Sequence, residues 1–172
     1  GCHTSLCDID ERILALAERG EPGGRVMRES RLPGLSAWRR VADYRFGQIQ
    51  RATNVTLYRD SALTADDILG FGFSHVAIAT GSAWRNDGVS RRLLRPAPLA
   101  GADVLTPDEL MAGKRPKHRN VVIYDDDHYY MGGVLAELLA RAGRKVTLVT
   151  PSHLVSEWTL NTLEQKRIQS RM

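Results

Sequence analysis

The chain predicts an α/β fold with mostly parallel strands, and three observations carry that expectation. Apolar, strand-like runs alternate with amphipathic helical stretches along the 172 residues. Turn and capping residues stand where such units join. One segment, Val121 to Thr150, reads as a complete unit. Val121-Val-Ile-Tyr124 is a buried strand, Asp125-Asp-Asp-His-Tyr-Tyr130 a turn, the stretch from Met131 an amphipathic helix, and Gly143-Arg-Lys-Val-Thr-Leu-Val-Thr150 a second buried strand. Strand, helix and strand in that order form a βαβ unit.

The remaining elements follow in chain order. Thr4-Ser-Leu-Cys7 is strand-like and ends at the acid Asp8. Ile13, Leu14 and Leu16 have helical spacing, so Asp10 to Arg19 is expected to be a helix, stopped by Gly20-Glu-Pro-Gly-Gly24. Ser36 predicts an N-cap for a helix from Ala37 to about Arg51, with Trp38, Val41, Tyr44 and Ile49 on one side. Asn54 to Tyr58 is a short strand. Thr64-Ala-Asp-Asp67 is an N-terminal helix box before Ile68-Leu69, with Gly70 and Gly72 ending the helix. His75 to Ser82 is an apolar run into Thr-Gly, the pattern of a strand buried on both faces. Residues 83–120 are rich in Arg, Pro and Gly and read as a crossover, with a short capped helix at Thr106-Pro-Asp-Glu-Leu-Met111. A polar, helical tail begins near Ser156. The expected organisation is a partial nucleotide-binding domain over 1–90, a crossover over 91–118, and the start of a second domain over 119–172.

Composition narrows the function. At 42% hydrophobic with mixed charges, the chain suits a globular domain in water. No apolar run reaches membrane-spanning length, and Gly-Cys-His is no secretory leader. The expectation is a piece of a longer cytoplasmic protein, cut inside a domain. The net charge of +4 comes from 20 Arg and four Lys scattered among 20 acids. The basic runs Arg91-Arg92 and Lys114 to Arg119 are short, a solvated surface rather than a nucleic-acid face. Cys2 and Cys7 are the only cysteines, and their spacing fits neither a zinc site nor a redox pair. They are expected to be free thiols.

The βαβ unit belongs to a dinucleotide-binding, Rossmann-type pattern, yet its turn lacks the pattern's glycines. Gly132 stands where the third glycine allows close helix–strand packing, while Tyr129 and Asp127 hold the first two places. Side chains there take the space of a pyrophosphate, and carboxylates compete with an anion at a helix N-terminus. At the end of the second strand, where a carboxylate would meet the adenosine ribose, stands Thr150. Gly1 to Asp8 has the same layout as Gly143 to Thr150, and there the terminal residue is Asp8. The first half therefore carries the candidate nucleotide site: Asp8 for the ribose, Gly23, Gly24 and Arg25 for backbone and guanidinium near a phosphate, and Thr80 and Gly81 beyond. No nucleophile elbow and no paired His and acid are present. Consecutive Asp125, Asp126, Asp127 and His128 cannot all aim at one ion, so no metal site is expected.

These residues resemble a known family. Gly24-Arg-Val26, Leu32-Pro-Gly-Leu35, Trp38 and Asp43-Tyr-Arg45 are similar to the ADP-binding region of the trimethylamine, dimethylamine and histamine dehydrogenases. So are Thr64 to Asp67, Ala79-Thr-Gly81 with Trp84, Arg85, Asp87 and Gly88, and the turn Tyr124 to Tyr130. The resemblance covers nearly the whole chain. Ala-Thr-Gly is shared by many flavoproteins, whereas the last two elements are far more specific. Histamine dehydrogenase-like sequences look most similar.

The resemblance implies glutathione-reductase-like domains following an N-terminal TIM barrel that carries FMN and a 4Fe–4S cluster. It also implies a homo-oligomeric parent that oxidises an amine at the flavin and passes electrons to an acceptor such as electron-transferring flavoprotein. ADP, or the adenine moiety of FAD, would lie in the first domain. The second domain would be kept without an NAD(P)H site. The alternatives are a non-catalytic adenine-nucleotide-binding or docking module, and a relative of NADPH-dependent dienoyl-CoA reductase.

Overall fold

The computed structural model describes residues 3–7, 14–18, 22–99 and 101–171. The chain divides into two compact units, Gly1–Arg31 with Leu35–Ser82, and Leu32–Gly34 with Ala83–Met172.

In the first unit four strands make one sheet: β1 (His3–Cys7), β2 (Leu14–Glu18), β3 (Val55–Tyr58) and β4 (His75–Ala79), in the order β3-β2-β1-β4. β2 and β3 are parallel, with Leu14 opposite Val55. β1 is antiparallel to both its neighbours, His3 facing Glu18 on one side and Ala79 on the other. The sheet is therefore mixed, a departure from the parallel arrangement expected. Only residues 8–13 separate β1 from β2, too short a link for the crossover that a parallel neighbour requires. β2 also replaces the helix expected over residues 10–19. Leu14 and Leu16 alternate with Ala15 and Ala17 at the period of a strand, and pairing on both edges overrides the helical propensity of alanine.

Three helices accompany this sheet: α1 (Gly24–Glu29), α2 (Arg39–Arg51) and α3 (Ala65–Gly70). A 3-10 turn, Ser36–Trp38, leads into α2. Ser36 is inside that turn, and no side chain caps it, so the expected serine cap does not form. α3 carries the expected capping box. Thr64 Oγ1 accepts from the Asp67 N–H at 3.3 Å, and Asp67 Oδ2 accepts from the Thr64 N–H at 2.8 Å. The Thr64 hydroxyl, ahead of its backbone N–H, holds the Asp67 carboxyl below its ordinary pKa. β4 stands at the sheet's edge and is exposed along its length, Ile78 at 71%, instead of buried on both faces.

The second unit contains α4 (Pro107–Met111), β5 (Asn120–Tyr124), α5 (Met131–Arg141), β6 (Lys145–Val149) and α6 (Gln165–Gln169), with a 3-10 turn at Glu157–Leu160. Here the βαβ reading holds: β5 and β6 are parallel, Val121 facing Val146. Both strands alternate exposed and half-buried residues rather than being buried throughout, and Val122 is 69% exposed. Met131, Leu135 and Leu139 recur at helical spacing on α5 and are buried, as are Leu110 and Leu32. Gly143, at φ 75°, turns the chain out of α5 where a side chain would be strained. No described helix is long and apolar enough to cross a membrane.

Candidate functional site

Of the candidate nucleotide residues, Asp8 lies outside the described residues. The other five lie in the first unit. Gly23 and Gly24 have φ 104° and 46°, the left-handed region that favours glycine. A Cβ on Gly23 would stand 2.8 Å from Met27 Cγ and 3.2 Å from Ala42 Cβ. That glycine therefore also serves the packing of α1 on α2. Arg25 follows on α1, and its Nη1 reaches 3.5 Å from the carbonyl of Ser82, directly after Gly81. Gly81 has φ 71°. The structure thus brings Arg25 to Ser82, 57 residues later in the chain and next to the Thr80–Gly81 pair.

Arg25 has a partner that sequence reasoning missed. Its Nε lies 2.5 Å from Oε1 of Glu29, whose side chain is 4% exposed against 30% for Arg25. The signal was present as the four-residue spacing on a helix. A guanidinium, a glycine at left-handed φ and a short strand-end turn suit a diphosphate, which needs one cation and close backbone approach. These residues offer the cation and the open backbone that a diphosphate needs.

The turn of the second unit is different, because its own side chains bond to its backbone. Asp125 directly follows β5 and is only 4% exposed. Its Oδ1 accepts from the N–H groups of Asp127 and His128, each at 3.2 Å. Its carboxyl group covers Gly132, where a Cβ would stand 2.6 Å from Asp125 Cγ. His128, at φ 61°, reaches the residue that follows β6: its Nδ1 is 3.3 Å from Thr150 Oγ1, and its Nε2 is 3.5 Å from Asp126 Oδ1. Asp126 Oδ2 accepts from the backbone N–H of Arg91 at 2.7 Å, the Arg91 guanidinium lies 4.3 Å from the centre of the Trp158 ring, and the backbone N–H of Trp158 donates to the His128 carbonyl at 2.9 Å. A pyrophosphate and ribose placed in the usual way would meet Asp125 and the His128–Thr150 pair. The turn does not fit a dinucleotide.

The specific element Trp84 to Gly88 also has a structural role in this unit. The backbone N–H of Trp84 donates to Asp108 Oδ2 at 2.9 Å, and Arg85 pairs with Asp87 at 2.5 Å. The Arg85 hydrogen bond, foremost, lowers the Asp87 carboxyl to about 2. A cavity of about 400 Å³ is bounded by this segment, by Leu110 and Leu135, and by residues 121–124. Four consecutive strand residues on one wall mean that the cavity follows the edge of β5 rather than one face. Among the described residues, no three His, Cys, Asp or Glu side chains converge as metal ligands.

In comparison with known proteins, residues 105–172 match the model of the OYE-like second alpha/beta domain. Over nearly all its length, the chain is similar to dimethylamine dehydrogenase of Hyphomicrobium sp. (strain x), 38% identical over 177 residues, covering 97% of this chain and 24% of that protein. It is similar to the structure of histamine dehydrogenase from Rhizobium sp. 4-9, with 57% identity and a TM-score of 0.81, covering 91% of this chain and 25% of that one. It is also similar to 6-hydroxypseudooxynicotine amine oxidase from Pseudomonas geniculata N1, with 49% identity and a TM-score of 0.86, covering 92% of this chain and 24% of that one. The chain is homologous to a segment of dimethylamine and histamine dehydrogenases, which are oxidoreductases, and spans about a quarter of the length of each.

Proposed function

We propose that this chain is part of a flavin and iron–sulfur amine dehydrogenase and contributes its adenine-nucleotide-binding region. ADP, or the ADP half of FAD, lies on the first unit. Asp8 accepts from the ribose hydroxyls, Arg25 neutralises the diphosphate, and Gly23, Gly24, Thr80 and Gly81 let backbone approach the phosphates. Residues 1–90 form this partial domain, 91–118 the crossover, and 119–172 the start of a second nucleotide-type domain kept for structure. FMN and the 4Fe–4S cluster, which supply the redox chemistry, reside in a TIM barrel outside these residues. The acceptor is a protein such as electron-transferring flavoprotein, and the parent is a homo-oligomer working in the cytoplasm.

The reach of Arg25 to the Ser82 carbonyl carries this reading, since it joins two segments that the sequence nominated separately. Isothermal titration with ADP tests it. The wild-type chain should bind, and Asp8→Ala and Arg25→Ala should each weaken binding by roughly tenfold or more, the scale of a lost charge-assisted contact. Absence of ADP binding by the wild type sinks the reading. The parent activity has its own test: amine should bleach the flavin of the full-length protein. NADPH on the second unit, as in a dienoyl-CoA reductase relative, is disfavoured by the Asp125 carboxyl over Gly132.

A further inference from the structure

Glu29 occupies a place that nucleotide contact alone does not explain. Its carboxylate is buried, which is costly for a charge unless it is paired. One partner is Arg25, one helical turn earlier, bound through Nε at 2.5 Å. A guanidinium is a rigid planar fork, so engaging its Nε edge fixes the plane of the whole group. The Nη side is then set as well, and Nη1 reaches the Ser82 carbonyl, three residues past β4, at 3.5 Å. An arginine so held loses less rotamer freedom when an anion arrives.

We propose that Glu29 is a positioning residue for the adenine-nucleotide site: it holds the Arg25 guanidinium toward the diphosphate without touching the ligand. The proposal rests on the reading of Arg25 as the cation of that site. Two effects of Glu29 oppose each other. Its negative charge offsets that of Arg25 and weakens attraction for phosphate. Its hydrogen bond pre-orders the fork and strengthens binding. The fixed geometry and the buried carboxylate make pre-ordering the dominant effect.

The two effects predict opposite signs for Glu29→Gln. Titrations with ADP and with adenosine at one ionic strength decide between them. Glu29→Gln should weaken ADP binding by roughly tenfold and leave adenosine binding unchanged. In an Arg25→Ala background it should have no further effect, the mark of one coupled unit. Tighter ADP binding by Glu29→Gln would show that charge offset dominates and overturn the proposal. Equal losses for ADP and adenosine would reveal a merely structural role and overturn it too. If Glu29→Gln does not fold, Arg25→Lys serves instead, because it keeps the charge and loses the fork. It should weaken ADP binding to a similar degree, and wild-type affinity in that variant would refute the idea. No ADP binding by the wild type removes the site reading and this proposal together. Weakening by Arg25→Ala with none by Glu29→Gln removes only the role of Glu29.

Discussion

Asp125 is a buried carboxyl with one oxygen bonded and the other, Oδ2, without a hydrogen-bond partner among the described residues. Burial raises its pKa above the ordinary 3.8, only partly opposed by the N–H groups of His128 and Asp127. A raised folded pKa means that the folded state holds this proton more tightly than the unfolded chain. Its contribution is complete below 3.8 and is lost as pH rises through the folded value. Asp125→Asn removes the titration while keeping an acceptor at Oδ1. The stability of the wild type relative to Asp125→Asn should therefore decline as pH rises above 3.8, then level off. Urea midpoints for both proteins across a pH series measure this, and parallel profiles would refute it. Asp87 has the opposite sign: bonded by Arg85, its contribution is present above 3.8 and lost as pH falls toward about 2.

At the scale of elements, the two capping boxes offer a matched comparison. Thr64 and Thr106 each accept from the N–H three residues on, and each receives a carboxylate in return. Thr106 is buried and Thr64 is not. Loss of either cap by substitution with alanine should destabilise its own unit by about 1 kcal/mol. Thr106→Ala should cost more than Thr64→Ala, because water cannot replace the lost partner as readily at the buried site. Denaturant unfolding of the two variants checks the order. Lys114, first, and the Thr106 N–H keep Glu109 below its ordinary pKa, so its half of the box stays ionised at neutral pH.

These boxes were legible in the sequence because their partners lie three residues apart. The βαβ unit was legible for a similar reason, since its period changes within one continuous stretch. β2 was not, because what makes it a strand is β1 on one edge and β3 on the other. The reading of Gly132 as a close-packing position was sound, but not that the group packed against it is Asp125. Likewise, the Arg25–Glu29 spacing was visible, while the burial of Glu29 and the reach of Arg25 to Ser82 are tertiary facts.

On the scale of the whole molecule, both sheets leave apolar side chains open to water. Ile78 and Val76 on β4 are exposed, as are Val122 and Tyr124 on β5. Open strands carrying such side chains invite pairing with other chains. The isolated 172-residue chain should therefore self-associate as its concentration rises, and Ile78→Lys with Val122→Lys should reduce that association. Sedimentation velocity at several concentrations provides the measurement. A wild type that stays monomeric throughout would contradict the expectation.

The filled turn of the second unit bears on how that unit's stability responds to ligands. A domain completed by a bound cofactor gains stability with ligand concentration and loses it under starvation. Here the Asp125 carboxyl takes the N–H groups of Asp127 and His128, and His128 reaches Thr150 just past β6, all from within the chain. Added NADPH should therefore leave the thermal midpoint of this unit unchanged, and a rise in that midpoint would contradict the expectation.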